Sequence, residues 1–220
     1  MKKVTILLAA TLVLACSGTD PAALLLNPAW ASTSSLTVAA VQESQPDLGL
    51  LLYRDERTRR AVESFYIKLT GSSEISLPVL RYAEANDIPL PLAFALAWGE
   101  SGFNTRAYNR NVRSVDRGLF QLNSATFPFL KAEQFYDPEI NARYGLKHLR
   151  FCLDREGSEL VALAVYNAGA LKVHSGTPYS TLNHIARILE YRNELRGAFQ
   201  RLREGSPLLD HLASRLGPGS

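Results

Sequence analysis

Ile88 to Gly99 is a run of twelve uncharged residues, IPLPLAFALAWG, and it ends at Glu100. Prolines suited to a first helical turn, followed by Ala and Leu, predict a helix from about Pro91 to Gly99. Helical spacing places Ala93, Leu96 and Ala97 on the face that carries Glu100. The carboxyl is therefore expected in apolar surroundings at the negative end of a helix. Both conditions disfavour its charged form, and both suit a glutamate that must donate a proton near neutrality. The plainer reading of the same segment is that Glu100 is the first solvated residue after a buried helix.

The rest of the chain from residue 51 onward is dominated by helical periodicity. Tyr53 to Leu69 reads as a helix ending at Gly71, and Ser76 as the N-cap of a helix from Leu77 to Ala85. Asp137-Pro138 is a strong start for a helix reaching Arg155. Ser158 is placed to cap a run to Tyr166, and a long amphipathic helix spans about Thr181 to Arg203, with Gly157, Gly169 and Gly205 punctuating the ends. Only residues 103–124 lack this period. In RGLFQLNS, residues 117–124, the pattern alternates: Leu119, Gln121 and Asn123 on one side, Phe120 and Leu122 on the other. A short strand or extended turn there would bury Phe120 and aim Gln121 into a cleft. The expected class is mostly α (α+β), one helical domain with a short extended segment around 117–124.

Composition narrows the function. With 220 residues, 46% of them hydrophobic, the chain can build one sizeable core. The formal net charge is +3, and two of those charges are Lys2 and Lys3, so the remainder carries +1 and implies no nucleic-acid partner. Arg187, Arg192, Arg196, Arg201 and Arg203 alternate with Glu190, Glu194 and Glu204, as on a solvated helix face. His148, His174, His184 and His211 have no ligand spacing with cysteine or each other, so no metal is expected, and no other cofactor.

The amino terminus reads as an export signal: Lys2 and Lys3, an apolar stretch from Val4 to Ala15 too short to span a membrane, then Cys16. Val13-Leu14-Ala15-Cys16 resembles a bacterial lipobox, in which the cysteine is acylated. This predicts a signal peptide over residues 1–16 and a lipid-anchored protein on the periplasmic face of the cell envelope. Ser17 after the cysteine favours the outer membrane in a cell that has two. Ala29-Trp30-Ala31 offers a competing cut that would release a soluble protein. Residues 17–50, rich in Ser, Thr, Ala and Pro, suit a flexible tether. The domain then covers residues 51–205, and 206–220 form a tail. Cys152 is expected as a buried free thiol.

Three strings carry the chemistry: ESGFN at 100–104, GLFQLN at 118–123 and AVYNAG at 164–169. In this order and at these separations they resemble the lytic transglycosylase domain of the lysozyme superfamily, over about residues 72–192. The resemblance implies a small, mostly helical lysozyme-like fold whose cleft holds peptidoglycan glycan strands. It makes Glu100 the acid and base. Ser101, Asn109, Gln121, Tyr166 and Asn167 then line the cleft. Two positions depart from the pattern. Thr105 stands where proline is common, and His184 replaces a tyrosine that helps shape the site, which implies altered pH dependence or strength.

Each of these residues also has a structural reading. Gln121 can satisfy backbone groups in a turn, Tyr166 can be core, Asn167-Ala168-Gly169 can be a helix C-cap, and Ser101 can be a solvated hydroxyl. The mechanism follows from a single motif carboxylate. Hydrolytic glycosidases use two. A lone Glu100 could protonate the oxygen between N-acetylmuramic acid and N-acetylglucosamine while the muramyl 6-hydroxyl attacks within the same sugar, leaving a 1,6-anhydromuramyl end. One rival is a goose-type muramidase using water with Asp116 as second carboxylate, unless Asp116 is only a surface charge paired with Arg113 or Arg117. The other is a glycan-binding lipoprotein without turnover.

Overall fold

The computed structural model describes residues 47–206. The export signal, Cys16, the tether up to residue 46, and the tail from 207 with His211 lie outside the described residues.

The described chain is mostly helical, with one small sheet. It opens with α1 (Leu48–Arg54) and α2 (Glu56–Thr70). The single helix expected from Tyr53 is split at Asp55, whose carboxyl accepts the Arg57 amide and starts a new helix. Helix α1 also begins at Leu48, inside the stretch expected as tether.

Helix α3 (Ser73–Ala85) starts four residues earlier than expected, with Ser72 at the N-cap. Ser76 is not a cap. It is fully buried within α3, and its hydroxyl donates to the Tyr66 carbonyl of α2. Helix α4 (Leu90–Ser101) follows, and Leu90 through Ala97 are all buried. It is the central helix of the core, which explains why the sequence shows no polar face there. Tyr66 stacks on Phe94 of α4 with ring centroids 3.9 Å apart, tying α2 to it.

Three short antiparallel strands come next: β1 (Tyr108–Arg110), β2 (Val115–Arg117) and β3 (Leu122–Asn123). The register sets Asn109 opposite Asp116 and Asp116 opposite Asn123, so these three side chains form a row across the sheet. A 3₁₀ turn (Ala132–Tyr136) leads into α5 (Pro138–Glu156), started as expected by Asp137, whose carboxyl accepts the Glu139 and Ile140 amides. Then come α6 (Glu159–Ala168), a short α7 (Ala170–Ser175) and the long α8 (Tyr179–Glu204).

Helix α8 packs along α4, and Gly99 sets how closely they approach: a Cβ there would overlap the Ile188 side chain. The arginines of α8 are not simply solvated. Arg187 lies over the Trp98 ring of α4, and Arg192 pairs with Glu159 of α6.

Candidate active site

Glu100 sits in the last turn of α4, as the uncharged run predicts, and its side chain is only 9% exposed. Its surroundings are not wholly apolar, however. Nε2 of His184, from α8, lies 3.1 Å from Oε1, with the imidazole itself 21% exposed. The two residues are 84 positions apart in sequence, and the close α4–α8 approach at Gly99 brings them together. Oε2 of Glu100 takes no hydrogen bond from the described residues.

The segment from Gly118 to Gln121 is a turn, not a strand. Leu119, Phe120 and Leu122 are all buried, so the alternation expected from the sequence fails there. Gly118 begins the turn at φ +79°, and a Cβ on it would overlap both the Phe135 carbonyl and the Asn141 side chain. Gln121 has φ +46°, and its amide donates to the Gly118 carbonyl at 3.0 Å. This bond is the backbone-satisfying role weighed for Gln121 from the sequence.

Two side chains hold this turn from outside. Asn141 of α5, fully buried, accepts the Phe120 amide at 2.7 Å and donates to the carbonyls of Phe135 at 2.6 Å and Arg117 at 3.0 Å. Ser101, next to the catalytic candidate, directs its hydroxyl at the Leu119 carbonyl, 2.7 Å away, and also lies 3.0 Å from the Ala97 carbonyl. Ser101 therefore fastens the end of α4 to the turn.

Tyr166 of α6 completes the arrangement by donating its hydroxyl to the Phe120 carbonyl at 2.9 Å. Burial, reinforced by the Glu100 charge, holds this phenol well above its usual range, so it remains a donor. Asn167 accepts from Thr181 at 3.0 Å, pinning the start of α8 to the end of α6. The turn, α4, α6 and α8 thus converge on Glu100.

Asn109 and Asp116 lie on the sheet. Asp116 is not paired with Arg113 or Arg117. One carboxylate oxygen accepts Asn123 at 2.6 Å, and the other accepts Asn111 at 2.8 Å and Asn109 at 3.2 Å. The strand register explains this, because it places an asparagine on either side of Asp116.

Two parts of the site escaped the sequence reading. Asn141 was legible only as a polar residue on the buried face of an otherwise well-patterned helix. The second is a set of rings beside Tyr166: His148 lies 5.1 Å from it, and Phe127 and Phe151 lie 5.9 and 6.3 Å from His148. Burial pushes the His148 imidazole below its usual range. A surface cavity of about 690 Å³ bordered by Glu74, Arg106, Glu133 and Glu139 contains none of these residues. Among the described residues no group of three or more His, Cys, Asp and Glu side chains could hold a metal ion.

Residues 78–182, which contain Glu100, the Gly118–Gln121 turn and Tyr166, match the family model of the Transglycosylase SLT domain. This match supports a lytic transglycosylase-like catalytic domain over that segment. The match supports a peptidoglycan-acting function of the transglycosylase type in general, and it implies glycan strands as substrate. The match ends at Leu182, two residues before His184, so the imidazole that meets Glu100 lies just beyond the SLT segment.

Proposed function

We propose that this SLT domain cleaves the β-1,4 bond between N-acetylmuramic acid and N-acetylglucosamine with Glu100 as its single acid and base. The observation that carries the reading is the carboxyl of Glu100: almost fully buried, held on one oxygen by His184, with Oε2 left for a substrate. Oε2–H protonates the glycosidic oxygen, and the C1–O bond breaks with its electron pair on the leaving N-acetylglucosamine. The carboxylate then takes the proton of the muramyl 6-hydroxyl as O6 bonds to C1. The net change is transfer of one proton from O6 to the leaving 4-hydroxyl, and the product ends in 1,6-anhydromuramic acid.

An internal nucleophile recovers roughly 7 to 11 kcal/mol of barrier through proximity, which removes the need for a second carboxylate or a positioned water. Both oxygens of Asp116 are already engaged by three asparagine amides, which supports leaving it out of the chemistry. Tyr166, Gln121 and Ser101 keep the turn facing Glu100 in place. Asn109 and Asn167, both exposed, offer amides to the sugars, and the rings beside Tyr166 offer stacking faces.

Purified sacculi digested by the wild type and by Glu100→Gln, with fragments read by mass spectrometry, test this. Wild type should release anhydromuramyl fragments and Glu100→Gln none. Reducing muramyl ends would instead support a muramidase using Asp116, and binding without release a glycan-binding module. The Cys16 pattern supports export and lipid anchoring at the envelope. Labelled palmitate should enter the wild type and not Cys16→Ala; label surviving that substitution would refute the anchor.

A further inference from the structure

The imidazole of His184 meets Oε1 of Glu100 at 3.1 Å. Helix α8 is pinned at its start by Thr181 on Asn167, and Ile188 packs into the notch left by Gly99 of α4. Tyr166 of α6 feels the charge of Glu100 together with Cys152 of α5 and Asp116 of β2, and Arg187 on α8 is turned toward Trp98.

We propose that His184 is a positioning residue that decides which oxygen of Glu100 carries the catalytic proton, a role that rests on Glu100 being the acid. In the tautomer protonated at Nε2, the ring donates to Oε1, so the proton of the carboxylic acid can sit only on Oε2, the oxygen free to face substrate. The same N–H stabilises the carboxylate formed when that proton moves to the leaving oxygen, and it keeps Oε2 aimed for the return proton from O6. In the opposite tautomer, bare Nε2 would draw the acid proton onto Oε1 and away from the glycosidic bond.

The test uses the full-length protein on soluble glycan strands. His184→Phe fills the same space without a donor and should lower kcat about 10- to 100-fold with KM changed less than about twofold, the size of effect expected when a reacting group is misaimed. His184→Gln places an amide N–H near the position of Nε2 and should recover kcat to within about fivefold of wild type. Nitrogen NMR of the wild type should show His184 protonated at Nε2. Wild-type kcat in His184→Phe, an equal loss in the Phe and Gln variants, or a ring protonated only at Nδ1 would each overturn the role. The spectrum decides the matter even if His184→Phe does not fold. Full activity in Glu100→Gln would refute the parent reading instead, whatever His184 does.

Discussion

Replacing Asn141 with alanine removes a buried side chain whose three hydrogen bonds hold the Gly118–Gln121 turn against α5 and the 3₁₀ turn. The Phe120 amide is left without its acceptor, and the Phe135 and Arg117 carbonyls lose the donor that served them. A stranded buried polar group costs about 1 to 3 kcal/mol, so the loss here is about 2 to 4 kcal/mol. For a domain of this size that lowers the melting temperature by roughly 4 to 16 °C. Asn141→Asp keeps the acceptor for Phe120 but sets a second oxygen against two carbonyls, so it should melt no higher than the alanine variant. Because the Phe120 carbonyl is also the partner of Tyr166, turnover of glycan strands should fall in both variants even below their melting points. Scanning calorimetry together with turnover at 20 °C checks this. A melting temperature within about 2 °C of wild type would show that the turn holds itself, and the clamp argument would be wrong.

Other consequences follow from the packing and the titrating groups. Gly99→Ala drives a methyl into Ile188 and should destabilise the domain by about 1 to 3 kcal/mol; kcat should drop more than KM rises, and Ile188→Val should partly restore both, whereas an unchanged kcat would separate the α4–α8 approach from catalysis. Burial keeps His148 neutral in the fold, with its pKa lowered, so the unfolded chain binds the extra proton. Its contribution is present above the unfolded value of about 6.5 and is lost as pH falls through the folded one. His148→Phe should flatten that acid-side loss in denaturant titrations between about pH 7 and 5, and an unchanged slope would refute it. The Cys152 thiol is pushed up to about 11 by burial and has Glu156 nearby, so native protein at pH 8 should react with thiol reagents far more slowly than protein in urea. Equal rates would contradict its burial.

The placement of Glu100 was legible because it depends on local properties: an uncharged helix and the residue at its end. The start of α5 was legible for the same reason, since Asp137 and Pro138 act within one turn. The choice between strand and turn at Gly118 was not legible, because the shape is imposed by Asn141 and by the Phe135 carbonyl, neither of which alters the alternation of residues 117–124. Ser76 was misread as a cap because its acceptor, the Tyr66 carbonyl, belongs to another helix. The resemblance singled out His184 as a substitution. Its direct contact with Glu100, though, depends on how α8 crosses α4, a tertiary fact set at Gly99 and Ile188. Asp116 was assigned the wrong partners because cross-strand register, not sequence proximity to Arg113 and Arg117, selects its neighbours.

The central claim is that the sugar's own 6-hydroxyl, not water, attacks the carbon released by Glu100. Digesting sacculi in water enriched in oxygen-18 and weighing the new muramyl ends tests it most directly. The account predicts ends that carry no heavy oxygen and are lighter than a reducing end by the mass of one water. New ends bearing one oxygen-18 at C1 would mean that solvent is the nucleophile, and the single-carboxylate mechanism would be wrong.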